Sequence, residues 1–101
     1  MVPIPDPHAA LRDRVLQLVL DGPGESDPAL RRAAAENVAV PIELVSLVEK
    51  IHAHAYQVTD EDVARLQATY SEDQLFEIVV SAALGASRQR LDAGLQALRD
   101  A

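Results

Sequence analysis

The sequence contains no cysteine, and aromatic residues make up only 3% of the chain. Without cysteine the chain has no disulfide, no thiolate metal ligand and no thiol nucleophile. With so few aromatic side chains, the core must be built from Leu, Val, Ile and Ala, which suits closely packed helices. The 101 residues are enough for one hydrophobic core and too few for two. We therefore predict an all-α fold that forms a single domain over residues 1–101.

Basic residues are also scarce, because 9 Lys and Arg stand against 16 Asp and Glu, a formal net charge of −7. An acidic chain repels phosphate, so we expect no nucleic-acid partner. No apolar run is long enough to cross a bilayer, and residues 1–7 lack the basic start and apolar segment of a secretory signal. We therefore expect no membrane partner and a cytoplasmic location.

Helix-start signals and apolar spacing predict about five helices. The first three starts lie at Asp6-Pro7, Asp27-Pro28 and Pro41. In the first helix Leu11, Val15 and Leu18 recur on one side and form an apolar stripe that extends to about Leu20. The third helix keeps apolar residues at helical spacing from Leu44 to Val58.

Two capping boxes mark the last two helix starts. The boxes consist of Thr59 with Asp62 and of Ser71 with Gln74, and the apolar pairs beside them are Val58 with Val63 and Tyr70 with Leu75. The last helix is predicted from about Glu72 to Leu98. Its first half, Leu75–Leu84, is apolar on nearly all sides. Either its own domain or a second subunit must cover that half. We expect a homo-oligomer, with a central helix surrounded by its own domain as the simpler alternative.

The segment Thr69–Val79, with Val80–Ala86 after it, resembles the part of carboxymuconolactone decarboxylase/alkylhydroperoxidase D-like proteins that follows their active-site helix. The resemblance covers about residues 41–98. It implies a compact bundle of about five helices with a long C-terminal helix.

In this resemblance, Ala55 and Val58 stand where the redox members carry their Cys-x-x-Cys pair. Asp62 stands where those members have a histidine, and Glu43 lies at or near an upstream glutamate used in proton transfer. The thiol chemistry of the family requires a thiolate and a resolving cysteine. Cysteine-based peroxidase or disulfide-reductase activity is therefore excluded, and no cofactor is expected.

Glu43 and Asp62 remain as candidate catalytic residues, because two carboxylates in one cavity can split their pKa values and act as acid and base. Each also has a structural explanation, Glu43 as a helix-start acid and Asp62 as a capping residue. The candidate ligand pocket around them consists of His52, His54, Ala55, Tyr56 and Val58.

A metal site is not expected. Glu49 and His52 are three residues apart and share a helix face, but a di-iron site needs a second such pair on facing helices. His52 and His54 are two apart, so they point in different directions on a helix and cannot bind one metal from that helix alone.

Three hypotheses for function remain open. The first is a non-catalytic or small-ligand-binding oligomeric scaffold, whose ligand would be a small organic acid or an apolar molecule. The second is a cysteine-independent decarboxylase or lactone-type enzyme that uses acid–base residues. The third is a helical protein-interaction module outside the family.

Overall fold

The structure is a computed structural model that describes residues 6–101, and it is helical with no strand in that range. The five α-helices are α1 Ala9–Asp21, α2 Pro28–Glu36, α3 Val45–His54, α4 Asp60–Leu66 and α5 Glu72–Asp100. Short 3-10 turns at Ile42–Leu44 and Ala55–Gln57 flank α3. The predicted all-α class, the five helices and the long C-terminal helix are confirmed. Within the described residues, every helix falls short of the length and hydrophobicity that crossing a bilayer requires.

Both predicted capping boxes are present. The hydroxyl of Thr59 accepts the Asp62 N–H at 3.2 Å, while the Asp62 carboxylate accepts the Thr59 N–H at 2.9 Å. Ser71 and Gln74 exchange the same pair of hydrogen bonds at the start of α5, at 3.1 and 2.9 Å. The first four N–H groups of a helix lack an acceptor within the helix, and each capping box supplies an acceptor for two of them.

Two predicted helix boundaries are wrong. The first helix begins at Ala9 with His8 in the capping position; the Asp6 carboxylate accepts the His8 N–H at 3.3 Å and pairs with the Arg12 guanidinium, so its backbone contact lies before the first turn. The third helix ends at His54, where the chain tightens into the 3-10 turn that carries Ala55–Gln57 away from the helix axis.

The core lies where the first half of α5 packs among α2, α3 and α4. Its buried members are Ala34, Leu44, Leu47, Val48, Ile51, Leu66, Leu75, Ile78 and Ala82. Within Leu75–Leu84, the residues Leu75, Ile78 and Ala82 are therefore covered by this chain itself. No second subunit is needed to explain their hydrophobicity, although Phe76 on the same helix is 69% exposed.

The most extensive helix contact in the described chain joins α2 to α5, and small residues make it close. Ala34 and Ala35 of α2 and Ala82 and Ala86 of α5 are all buried. Gly85 lies against the α2 backbone, where a Cβ atom would stand only 2.0 Å from the carbonyl oxygen of Ala35. The crossing distance of the two helices thus depends on the missing side chain at Gly85.

The loop between α1 and α2 is held by two charged side chains, which we call the loop clamp. The buried Arg31 of α2 donates to the carbonyls of Val19 and Gly22 at 2.6 and 2.7 Å. From the other side, the Glu77 carboxylate of α5 accepts from the backbone N–H of Ser26 at 2.9 Å and from its hydroxyl at 2.6 Å. The loop is therefore tied to both α2 and α5.

Candidate functional site

Asp62 is a buried acceptor shared by several donors. Its carboxylate accepts from Lys50 Nζ at 2.8 Å and from the Arg65 guanidinium at 2.9 Å, besides the Thr59 N–H of the capping box. The hydrogen bond from Lys50, followed by that from the Thr59 backbone, holds the pKa of Asp62 well below its ordinary value. Asp62 is therefore a fixed anion that ties α3 to the start of α4.

Glu43 lies in the 3-10 turn before α3, with its side chain exposed. The Tyr70 hydroxyl donates to its carboxylate at 2.6 Å, and this hydrogen bond lowers the pKa of Glu43. Burial, and then the Glu43 carboxylate, raise the pKa of Tyr70 to about 12. The pair therefore joins the start of α3 to the turn that precedes α5.

Glu43 and Asp62 line one cleft, which we call the acid cleft. Its other lining residues are Ser46, Leu47, Arg65, Leu66 and Thr69, and its volume is about 260 Å³. Acid–base catalysis by two carboxylates needs one raised pKa, so that one group keeps a proton at neutral pH. Here hydrogen bonds lower the pKa of both Glu43 and Asp62, which leaves the cleft with two anions and no carboxylic acid.

The candidate pocket residues are placed elsewhere, and none of them lines the acid cleft. His54, Ala55 and Tyr56 are exposed, Tyr56 by 82%, and the rings of His54 and Tyr56 meet edge to face with 5.7 Å between centroids. Val58 is half-buried against the core. The end of α3 at His54 is the cause, since the following turn directs these residues outward.

His52 has a structural partner. Its Nε2 lies 2.8 Å from the carbonyl oxygen of Ala34, so the ring N–H donates to a carbonyl in the last turn of α2. Carbonyls in a last helical turn lack an intrahelical donor, and His52 supplies one from a neighbouring helix. Across residues 6–101, no three His, Asp or Glu side chains are arranged to hold a metal ion.

A second cleft, which sequence reasoning missed, runs between α1 and the second half of α5, and we call it the α1–α5 groove. Its lining is almost wholly apolar in the middle, with two arginines at the rim, and its volume is about 330 Å³. The lining residues are Leu11, Arg12, Val15, Leu16, Leu84, Ser87, Arg88 and Leu91.

The apolar stripe of α1 is largely exposed beside the α1–α5 groove. Leu11 is 61% exposed, and Val15 and Leu18 are exposed as well, so only Leu20 of α1 is buried. These residues do lie on one face of α1, but α5 borders that face without burying it. The sequence did contain one indication of this groove, in α5. Leu84 and Leu91 lie on the same face of that helix, and the helix is longer than a small core can cover.

One ion pair joins the two helices at the rim of the groove, and a second lies within α5. The Arg88 guanidinium lies 2.7 Å from the Asp13 carboxylate of α1 and 3.7 Å from that of Asp92. Ala9 shares a cleft with Leu95, whereas the other end of α1 lies near Gly85. The helices α1 and α5 therefore run antiparallel.

No protein-family model, curated protein or solved structure matches this chain. The resemblance to the carboxymuconolactone decarboxylase-like family therefore rests on the sequence segments that suggested it.

Proposed function

We propose that this protein is a non-catalytic helical scaffold, similar to carboxymuconolactone decarboxylase/alkylhydroperoxidase D-like domains, whose role is self-association. The observation that carries the proposal is the α1–α5 groove. Contiguous apolar surface rimmed by polar residues is typical of interaction sites, whereas single exposed apolar residues are not. Here Leu11, Val15 and Leu91 are exposed together on two neighbouring helices.

The state of the candidate catalytic residues supports a scaffold over an enzyme. Asp62 already accepts from three donors, and Glu43 is paired with Tyr70. His52 is engaged with the Ala34 carbonyl, and Tyr56 lies at the surface away from both acids. An acid–base enzyme needs at least two such groups converging on one reacting atom. These groups make separate contacts, and those of Glu43, Asp62 and His52 each join secondary-structure elements.

The family-like fold remains part of the proposal. Both capping boxes lie in the region of the resemblance, and α5 supplies the long C-terminal helix that the family would have. The cytoplasmic location is likewise kept as a prediction.

A second candidate function is binding of a small apolar ligand in the α1–α5 groove. Its volume of about 330 Å³ falls within the range of small-molecule pockets, and its lining is apolar. In the self-association function another protein chain covers Leu11 and Leu91, whereas in the second function a small ligand covers them.

Sedimentation velocity over a wide range of protein concentrations tests the proposed function. We expect the sedimentation coefficient to rise with concentration, while hydroperoxide and lactone substrates are not turned over. A strictly monomeric chain at every concentration would refute the scaffold role. Turnover of a lactone that is lost in Glu43→Gln would instead support the acid–base enzyme.

A further inference from the structure

The charges of this acidic chain are unevenly distributed. Residues 6–21, which contain α1, and residues 84–100 of α5 together carry five aspartates and five arginines. We call this part the neutral end. The whole net charge of −7 therefore lies on residues 22–83, where 11 acidic residues stand against 4 basic ones.

The α1–α5 groove lies within this neutral end. Its rim arginines already have carboxylate partners there, Arg12 with Asp6 and Arg88 with Asp13. The exposed leucines are thus surrounded by ion pairs that cancel locally. A negatively charged body can therefore approach this apolar surface without facing an excess of negative charge.

We infer that the occupant of the α1–α5 groove is a second copy of this chain, bound about a two-fold axis so that two α1–α5 pairs form a four-helix arrangement. The inference rests on the proposed function and specifies its interface. In a two-fold dimer the same patch meets itself, so Leu11 and Leu91 of one protomer pack into the groove of its partner.

Charge disfavours a basic partner at the groove and favours one mode of approach for a second copy. A basic partner is drawn to residues 22–83, where the negative charge lies, and away from the neutral end. Two copies of this chain repel each other through those same residues. They meet with least repulsion when their neutral ends face each other, and only that approach brings the two apolar grooves together.

The size of the face sets the strength of the dimer. The 13 residues of α1 span about 20 Å, and two neighbouring helices are about 20 Å wide. A face of about 20 Å by 20 Å is about 400 Å² per protomer and about 800 Å² in total, which is below the roughly 1,200 Å² of stable specific interfaces and corresponds to a weak, reversible dimer. The helices α1 and α5 are already held antiparallel by the Arg88–Asp13 ion pair, so pairing needs no rearrangement.

Salt distinguishes this dimer from one held by ion pairs. Screening weakens the repulsion between the two negative bodies and leaves apolar contact intact. We therefore expect added salt to strengthen self-association, whereas an interface built on intermolecular ion pairs would weaken.

The test is sedimentation velocity of the full chain and three variants from micromolar to millimolar concentration, at low and high salt. Leu11→Glu and Leu91→Glu each place a charge in the groove. Leu11 lies in the first turn of α1, where an acid favours the helix, so that variant keeps its fold. Phe76→Glu is the matched control, because Phe76 is an exposed apolar residue of α5 outside the groove. Circular dichroism verifies that each variant is folded.

We expect the wild type and Phe76→Glu to rise about twofold in mass with concentration, more readily at high salt, and both groove variants to stay monomeric. If the groove variants associate like the wild type, this interface is refuted while the scaffold role survives. If the wild type never associates, both are refuted. If the wild type stays monomeric but binds the apolar dye anilinonaphthalene sulfonate, and Leu91→Glu does not, the groove belongs to a small ligand and the second copy is refuted.

Discussion

Gly85 and Gly94 lie in the same helix but in opposite surroundings, which makes their replacement by alanine a matched pair of experiments. At Gly85 a Cβ atom would stand 2.0 Å from the Ala35 carbonyl oxygen and 2.6 Å from its Cα. At Gly94 the same atom would meet nothing within 4 Å. The two substitutions therefore make the same change to α5 and differ in what the added methyl group contacts.

The magnitudes follow from two opposing effects. Alanine favours a helix interior over glycine by about 1 kcal/mol, and this gain applies to both positions. At Gly85 the Ala35 backbone must retreat by about 1 Å to reach even the shortest separations that Cβ atoms show. Overpacking of a core costs about 1–3 kcal/mol, and a clash with backbone belongs at the upper end. The net loss for Gly85→Ala is about 2 kcal/mol, against a gain of about 1 kcal/mol for Gly94→Ala.

Urea and thermal unfolding followed by circular dichroism measure both values at a protein concentration low enough to keep the chain monomeric. For a domain of this size the expected shifts in Tm are about −8 to −16 °C for Gly85→Ala and about +4 to +8 °C for Gly94→Ala. A Gly85→Ala variant as stable as the wild type would refute the close crossing of α2 and α5. A Gly94→Ala variant that loses stability would contradict the open surroundings of Gly94.

Three further predictions concern polar contacts. Thr59→Ala should lower the free energy of unfolding by about 1 kcal/mol through loss of the cap, while Thr69→Ala at an exposed site should change it little in the same urea titration. The hydrogen bond from the Ser26 hydroxyl, followed by that from the Glu25 N–H, lowers the pKa of Glu77 below 4.5. Its contribution to stability is therefore fully present above about pH 4.5 and is lost as the pH falls through that lower pKa. Unfolding of Glu77→Gln should accordingly depend less on acid than that of the wild type, and equal acid dependence would contradict the contact. In Tyr56→Phe, ultraviolet titration of the remaining Tyr70 should give a midpoint near 12, and a midpoint near 10 would contradict both its burial and its pairing with Glu43.

Features that depend on a few neighbouring residues were predictable from the sequence. The capping boxes at Thr59 and Ser71 use partners three residues away, so the pattern of residue types was sufficient. The long α5 was equally accessible, because its apolar residues repeat at helical spacing. The predicted start of the first helix was wrong at Asp6, whose carboxylate accepts the His8 N–H and pairs with Arg12 while the helix itself begins only at Ala9.

The burial of a helix face could not be predicted in the same way. The stripe of Leu11, Val15 and Leu18 was recognised, but whether it is covered depends on where α5 lies in three dimensions. Apolar spacing identifies a face that needs a partner and does not say whether the chain itself provides one.

In the candidate site, the sequence indicated which residues lie together but not their chemical state. Glu43 and Asp62 were expected near each other, and they do line one cleft. Their chemical state depends on Lys50 and Tyr70, which come from other parts of the chain and lower the pKa values of both acids. The sequence contains no local signal for those contacts. The positions of Ala55 and Tyr56 were missed because a single residue, His54, ends the helix earlier than apolar spacing indicated.

The loop clamp determines which end of α1 unfolds locally first. Arg31 and Glu77 fix the loop after α1, and Leu20 fixes the last turn of that helix, whereas its first two turns rest on α5 through exposed contacts. Helix α1 is thus anchored at its C-terminal end and fastened less firmly at its N-terminal end. Its amide hydrogens should exchange in a gradient, fastest near Ala9 and slowest near Leu20. Because the proposed dimer covers the weakly held end, a rise in protein concentration would flatten this gradient, and the second copy would complete the folding of the protomer's own first helix.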